Sequence, residues 1–148
     1  MRHFYQIALG AVILVCNSVI AFAEDYPEKN FPLTEQGTVD FSTPSGNIEC
    51  VYMPNGESGT VTSDQRNPEL WCDRDQPDYV RFVLRPNDPA EIVKQVEDPI
   101  CCGGVHTLSY GRSFRGGPFY CESAETGLDC MTDNGHGFHI SKKKIKAY

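Results

Sequence analysis

The chain has 148 residues, with 20 acidic and 13 basic side chains and a formal net charge of −7. A length of this order accommodates one domain with its own core. A net negative charge repels phosphate backbones, which argues against nucleic acid as a partner and favours attraction of a cationic protein. The same charge could also serve solubility alone.

The first 23 residues predict an export signal. A basic start precedes an apolar run from Ile7 to Ile20, and Ala21-Phe22-Ala23 has the small residues that signal peptidase recognises. The apolar run is shorter than the roughly 20 residues that a membrane span needs. We therefore expect cleavage after Ala23 and a periplasmic or secreted protein with no membrane span. Cleavage removes Arg2 and leaves a net charge of −8.

The mature chain reads as a series of short strands. Residues 24–37 hold two prolines and predict an extended lead-in, and Pro44-Ser45-Gly46-Asn47 predicts a turn between the first two strands. Alternation of apolar and polar residues predicts the strands that follow. The predicted strands lie at 38–41, 47–53, 69–73, 79–85, 106–110, 119–122, 128–132 and 137–141.

One segment, from Asp88 to Glu97, has two interpretations. Asp88-Pro89-Ala90-Glu91 fits the start of a short helix near 89–96, with a cap, proline at the first position and glutamate at the third. The same residues also fit a turn that returns 91–97 beside the preceding strand. The hairpin is favoured because the surrounding chain is β in character and short isolated helices are marginal.

These elements predict a single β domain over 38–148. Many short strands separated by regular turn signals are typical of an antiparallel sandwich or a partly open barrel. The fold class expected is therefore all-β, small and disulfide-stabilised.

Cysteine usage supports disulfide stabilisation. The chain has seven cysteines, and six remain after Cys16 leaves with the signal. An even number in a small exported protein predicts a disulfide framework. The six are Cys50, Cys72, Cys101, Cys102, Cys121 and Cys130.

The spacing suggests two pairs and leaves one question open. Cys121 and Cys130 flank a predicted hairpin loop and are expected to bond each other, since opposed strand positions bring β-carbons into disulfide range. Cys50 and Cys72, on two strands joined by a long loop, are the second expected pair. The adjacent Cys101 and Cys102 could bond each other, with redox or sensing use, or bond two separate partners.

Several motifs resemble those of a known family. They are Phe41–Cys50, Leu108–Ser113, Gly117–Cys121, Gly127–Cys130 and Gly135–Lys142. In this order they resemble a family of small secreted bacterial proteins classed as a domain of unknown function. The resemblance implies a secreted β-rich module without an assigned activity, and residues 56–100 match none of its motifs.

No motif in the chain points to an enzyme or to a resident metal or other cofactor. The chain lacks a nucleophile elbow, a phosphate-binding loop, a His-Glu-x-x-His motif and a dinucleotide fingerprint. His106, His136 and His139, with the Cys101-Cys102 pair, have ligand chemistry suited to zinc or copper. Positions 136 and 139 of one strand point to opposite faces, however, and thiols bound in disulfides are not available as ligands. No metal site and no cofactor is therefore predicted.

Arginine and aromatic residues cluster between positions 110 and 120. This composition is typical of protein interfaces, and the candidate interface residues are Arg112, Phe114, Arg115 and Tyr120. The alternative is that Phe114 belongs to the core and that the arginines pair with surface carboxylates.

The sequence thus favours an exported, non-catalytic binding module that inhibits or neutralises a cationic protein in the bacterial envelope. Two alternatives remain: a structural envelope protein without a soluble target, and a redox- or metal-responsive protein that uses Cys101-Cys102.

Overall fold

A computed structural model describes residues 26–55 and 68–148, in which every regular element is a β-strand. The predicted export signal, residues 1–23, lies outside the described residues. No helix in the described part of the chain is long and apolar enough to cross a membrane. The strands are β1 Val39–Ser42, β2 Ile48–Met53, β3 Glu69–Arg74, β4 Val80–Leu84, β5 Glu91–Val93, β6 His106–Thr107, β7 Arg112–Gly116, β8 Phe119–Ala124, β9 Gly127–Thr132, β10 Gly137–Ile140 and β11 Ile145–Ala147.

The strands form two sheets that follow the chain in order. The first has the strand order β5-β4-β3-β2-β1-β6, and the second has the order β11-β10-β9-β8-β7. Neighbouring strands pair antiparallel except for β1 and β6, which run parallel. The all-β, antiparallel class predicted from the sequence is confirmed, and the form adopted is the sandwich.

The core lies between the two sheets and is rich in aromatic rings. The ring centroids of Phe82 in β4 and Phe138 in β10 are 4.6 Å apart, and those of Phe41 in β1 and Phe114 in β7 are 4.7 Å apart. Each of these four side chains is at most 2% exposed. Because each pair joins one sheet to the other, apolar packing rather than a covalent bond holds the sandwich closed.

Each sheet contains its own buried disulfide. Cys50 lies opposite Cys72 on β2 and β3, and Cys121 lies opposite Cys130 on β8 and β9. The Cα atoms within each pair are 4.1 Å apart, and all four cysteines are fully buried. These are the two pairs expected from the strand pattern.

The segment with two interpretations is a hairpin. β5 pairs antiparallel with β4, so the helix near 89–96 does not form. The predicted turn at Pro44–Asn47 is present, with Gly46 at φ +68°, a conformation that glycine adopts without strain. Two strands were not predicted: β7, which lies between glycines, and β11, which lies in the lysine-rich C-terminal segment.

The extended lead-in covers one edge of the second sheet. The backbone N–H of Lys29 donates to the carbonyl of Ser113 at 2.7 Å, and the N–H of Ser113 donates to the carbonyl of Pro27 at 3.1 Å. Phe31 then stacks on Phe41 and Phe114. The lead-in therefore belongs to the packed domain.

Candidate functional site

The chain between β5 and β6, residues 94–105, crosses the outer face of the first sheet. β5 lies at one edge of that sheet and β6 at the other, so the connection must span its width. It forms no strand of its own. We call residues 94–105 the strap.

Three charged side chains lie side by side beneath the strap. Strand register places Glu49 of β2 opposite Asp73 of β3, and Asp73 opposite Arg81 of β4. They are 6%, 0% and 7% exposed, respectively. We call these three residues the charged row. Their burial on a sheet face that points away from the core means that the strap covers them.

Asp73 is the centre of the row. Its carboxylate accepts two hydrogen bonds from Arg81, from Nε at 2.7 Å and from Nη2 at 2.9 Å. It also accepts the Tyr79 hydroxyl and the backbone N–H of Ile100, the latter at 3.0 Å. A bidentate guanidinium and two further donors satisfy a carboxylate that has no access to water.

The pKa values of the partners of Asp73 reflect this environment. Burial, together with the hydrogen bond to Asp73, raises the pKa of Tyr79 to about 12. Burial opposes the charge of Arg81, but its hydrogen bond to Asp73 and the negative charge of Asp73 outweigh that effect and raise the pKa of the guanidinium. Arg81 also lies over the ring of Trp71, with Cζ 4.5 Å from the ring centroid. Arg81 is therefore a permanent buried cation.

Backbone groups of the strap bind to the row along its length. The Asp98 carbonyl accepts from Arg81 Nη2 at 2.6 Å, and the N–H of Cys101 donates to the Tyr79 hydroxyl at 3.1 Å. The N–H of Gly103 donates to Glu49 Oε2 at 2.6 Å. A Cβ added at Gly104 would lie 3.2 Å from the backbone nitrogen of Ser42, so the strap passes close over β1.

The strap carries the adjacent cysteines, and they are bonded to each other. This resolves the alternative that the sequence left open, because the other four cysteines already form their own pairs. Cys101 is half-buried and Cys102 is exposed, whereas the other four are fully buried. The Cys101–Cys102 bond is thus the disulfide that a solution thiol can reach.

Glu49 lies beside this bond. One carboxylate oxygen of Glu49 and the two sulfur atoms of Cys101 and Cys102 all lie within 4.8 Å of one another. Burial raises the pKa of Glu49, and the charges of Asp40 and Asp73 act in the same direction, while the N–H groups of Gly103 and Gly104 act against them. In the described residues, this is the one group of three side chains with the spacing of metal ligands.

The histidines considered as ligands are held apart. His106, in the first sheet, stacks on Phe31 with ring centroids 5.0 Å apart. His139, in the second sheet, has Nδ1 3.0 Å from the carboxylate of Asp129. His136 lies in the loop before β10 and contributes its carbonyl oxygen to Thr132.

The candidate interface residues divide between core and surface. Phe114 is 2% exposed and packs against Phe41, so it is not available to a partner. Arg115 is exposed, lies 5.0 Å from the ring centroid of Tyr120 and contacts Asp133 at 3.4 Å. Arg112 is exposed at the start of β7. The structure therefore brings Arg115 and Tyr120 together and leaves Phe114 in the core.

A second feature is a cleft of about 360 Å³ at one end of the sandwich, lined by turns from both sheets. Arg74, 5% exposed, joins the sheets beside this cleft: its Nη1 donates to the Ser141 carbonyl at 3.0 Å, and its Nε has no hydrogen-bond partner. The lining includes Asp75, Glu125 and Lys142. Because both signs of charge are present, the cleft selects no ligand class by charge.

Sequence reasoning identified Cys101 and Cys102 but missed the charged row. Glu49 lies 24 residues before Asp73, and Asp73 lies on the strand before Arg81, so the row depends on the register of three paired strands. Comparison with protein-family models, with curated proteins and with solved structures gives no match. The resemblance to a family of small secreted bacterial proteins therefore stays a prediction.

Proposed function

We propose that this protein is an exported, redox-responsive module in which the Cys101–Cys102 disulfide is the reactive group. The observation that carries the proposal is accessibility: Cys102 is exposed, while both other disulfides are fully buried. Exposed disulfides exchange with thiols and are the labile or regulatory ones, whereas buried pairs resist reduction.

The reaction is thiol–disulfide exchange with a small thiol. The thiolate attacks the exposed sulfur of Cys102, the bond between the two cysteines breaks, and Cys101 leaves as a thiolate that takes a proton from water. A second small thiolate then attacks the small thiol's sulfur in this mixed disulfide, the bond to Cys102 breaks, and Cys102 leaves as a thiolate that is protonated in turn. The balance is two small thiols oxidised to one disulfide and two protein thiols formed.

The proposed response to reduction is a rearrangement of the hydrogen bonds that connect the strap to the charged row. Tyr79 binds the N–H of Cys101, and Tyr79 in turn binds Asp73, the partner of Arg81. Opening the bond frees the two cysteine side chains to rotate independently on a segment that is tied to this network. Trp71, the only tryptophan in the chain, contacts Arg81 and therefore lies beside the element that would move.

Partial reduction tests the reaction. The native protein is treated with reduced glutathione, freed thiols are blocked with iodoacetamide, and the labelled peptides are mapped by mass spectrometry. We expect label on Cys101 and Cys102 first, with the other four cysteines labelled only after urea is added. Simultaneous labelling of all six, or resistance of Cys101 and Cys102, would contradict the proposal.

Tryptophan fluorescence tests the response. Reduction under the same conditions should change the emission of Trp71, because the network beneath the strap rearranges. The double variant Cys101→Ser/Cys102→Ser is the matched control, since it takes no label and should show no change. Exchange at Cys101–Cys102 with unchanged emission would show a reactive pair in a protein that does not respond.

A second proposal is that the module binds a cationic protein. Two observations favour it: the negative formal charge of the chain, and the Arg115–Tyr120 pair on the sheet surface, a combination enriched at interfaces. Egg-white lysozyme serves as a basic probe. Binding that weakens with salt and with Tyr120→Ala, which leaves the net charge unchanged, but not with Asn87→Ala in the exposed β4–β5 turn, would support it, and no binding at low salt would oppose it.

A further inference from the structure

We propose that the reduced protein holds a thiophilic divalent cation, with Zn²⁺ as the best match, between the thiolates of Cys101 and Cys102 and the carboxylate of Glu49. The inference rests on the proposed function, because the two sulfur atoms become ligands only after their bond is reduced. Metal binding would thus be a property of the reduced protein that the oxidised protein lacks.

The geometry already brings the three ligand atoms together. Both sulfur atoms and a carboxylate oxygen of Glu49 lie within 4.8 Å of one another. Zinc–sulfur bonds of about 2.3 Å and zinc–oxygen bonds of about 2.0–2.2 Å place ligand atoms roughly 3.5–4 Å apart in a tetrahedral site. Rotation of the two cysteine side chains is therefore sufficient, and β2 need not move.

The site has a fixed side and an open side. Glu49 is 6% exposed on a central strand, and its carboxylate accepts the N–H of Gly103 at 2.6 Å. Hydrogen bonds of this kind orient a ligating carboxylate. Cys102 is exposed, which gives a cation a route in and leaves a fourth position to water. Three protein ligands and one water are a common zinc coordination.

Reduction leaves the anchor beside Glu49 in place. The N–H of Gly103, the residue after Cys102, donates to Glu49, and this bond uses no sulfur atom. The thiols therefore stay close to Glu49 after the disulfide opens. Two thiolates and one carboxylate carry three negative charges against two positive ones, and binding releases the thiol protons.

A cadmium titration tests the site, because cadmium thiolates absorb in the ultraviolet and Zn²⁺ competes for the same ligands. Protein reduced at Cys101–Cys102, and freed of the small thiol, should bind about one Cd²⁺ with a charge-transfer band that Zn²⁺ removes. The oxidised form of the same protein should show no band, which makes it the first control.

Three variants assign the ligands. Cys102→Ser, at an exposed position, should abolish the band. Glu49→Gln should weaken binding on the order of 10-fold or more, because the carboxylate charge is lost. Glu97→Gln is the matched control: it makes the identical substitution at an exposed position of the strap but removes no ligand, and it should bind as the native protein does. Thermal midpoints verify that each variant is folded.

The outcomes separate this inference from the proposed function. If Cys101 and Cys102 take up iodoacetamide after mild reduction but no cadmium band appears, the metal site is wrong and the redox function stands. Equal affinities of Glu49→Gln and Glu97→Gln would remove Glu49 from the site. Failure of Cys101 and Cys102 to be reduced would contradict the proposed function itself.

Discussion

At the scale of single residues, Asp73 is a buried carboxylate whose charge depends entirely on protein partners. It is fully buried and accepts hydrogen bonds from Arg81, Tyr79 and Ile100. Asp73→Asn would leave Arg81 as a buried cation without a carboxylate partner. We expect a loss of about 3–5 kcal/mol in the free energy of unfolding, measured by urea titration.

The control for that measurement is Asp88→Asn. Asp88 is exposed in the turn between β4 and β5, so the same charge change should alter stability by less than about 0.5 kcal/mol. Equal urea midpoints for the two variants would mean that the charged row contributes nothing to stability.

Phe114 provides a second prediction at this scale. Its ring packs on Phe41 and Phe31 and is 2% exposed, so Phe114→Ala should cost about 3–5 kcal/mol of unfolding free energy. Arg112→Ala, on the same strand but exposed, should have a small effect. Thermal or urea unfolding of both variants distinguishes them, and a stable Phe114→Ala protein would contradict the core assignment.

The titration of Glu49 gives a pH prediction. Burial raises the pKa of this carboxyl above its ordinary 4.5, so the folded state holds the proton to a higher pH than the unfolded state does. The stability contributed by protonated Glu49 is complete below the unfolded pKa and is lost as the pH rises through the folded pKa.

Glu49→Gln does not titrate and isolates this effect. In the oxidised protein, the stability of the native chain relative to Glu49→Gln should fall as the pH rises above about 4.5, the ordinary pKa of this carboxyl, measured by urea unfolding at a series of pH values. The other carboxyl groups are common to both proteins and cancel in the difference. A difference that stays level or grows with pH would show that the pKa of Glu49 is not raised.

At the scale of elements, the two buried disulfides each join neighbouring strands of one sheet. Cys50 and Cys72 are 22 residues apart, and Cys121 and Cys130 are 9 apart. In the chain-entropy description the longer loop gives the larger effect, about 3.4 against 2.6 kcal/mol. Cys50→Ala/Cys72→Ala should therefore lower the denaturation midpoint more than Cys121→Ala/Cys130→Ala. The reverse order would show that packing around each bond matters more than loop length.

The elements that sequence predicted well are those with clear alternation. β2, β4, β8 and β9 place mostly apolar side chains on the core face at every second position, and their limits were predicted to within two residues. β7 was missed because glycines on either side break the pattern, and β11 because it has only three residues and lies among lysines. The charged row could not be predicted, since it depends on which strands become neighbours and on a strap that covers the outer face.

At the scale of the whole molecule, covalent and non-covalent stabilisation act in different places. The buried disulfides act within sheets, while the phenylalanine pairs and Arg74 act between them. The strap is a third layer, held on the first sheet by buried charges. The domain can thus carry a reactive disulfide on the strap without making the integrity of the sandwich depend on it.

The lengths of the edge strands have a consequence for self-association. Unpaired backbone groups at a sheet edge are templates for pairing with another chain. Here the edge strands β5 and β11 have three residues each, and the edge strand β6 has two. β11 also lies among lysines, whose charge discourages pairing with a strand of another chain. Among the edge strands of residues 26–55 and 68–148, β7 is the one longer edge, and the lead-in covers part of it. The lead-in therefore shields β7 from edge-to-edge pairing, and a chain whose lead-in is detached would offer β7 to a second copy.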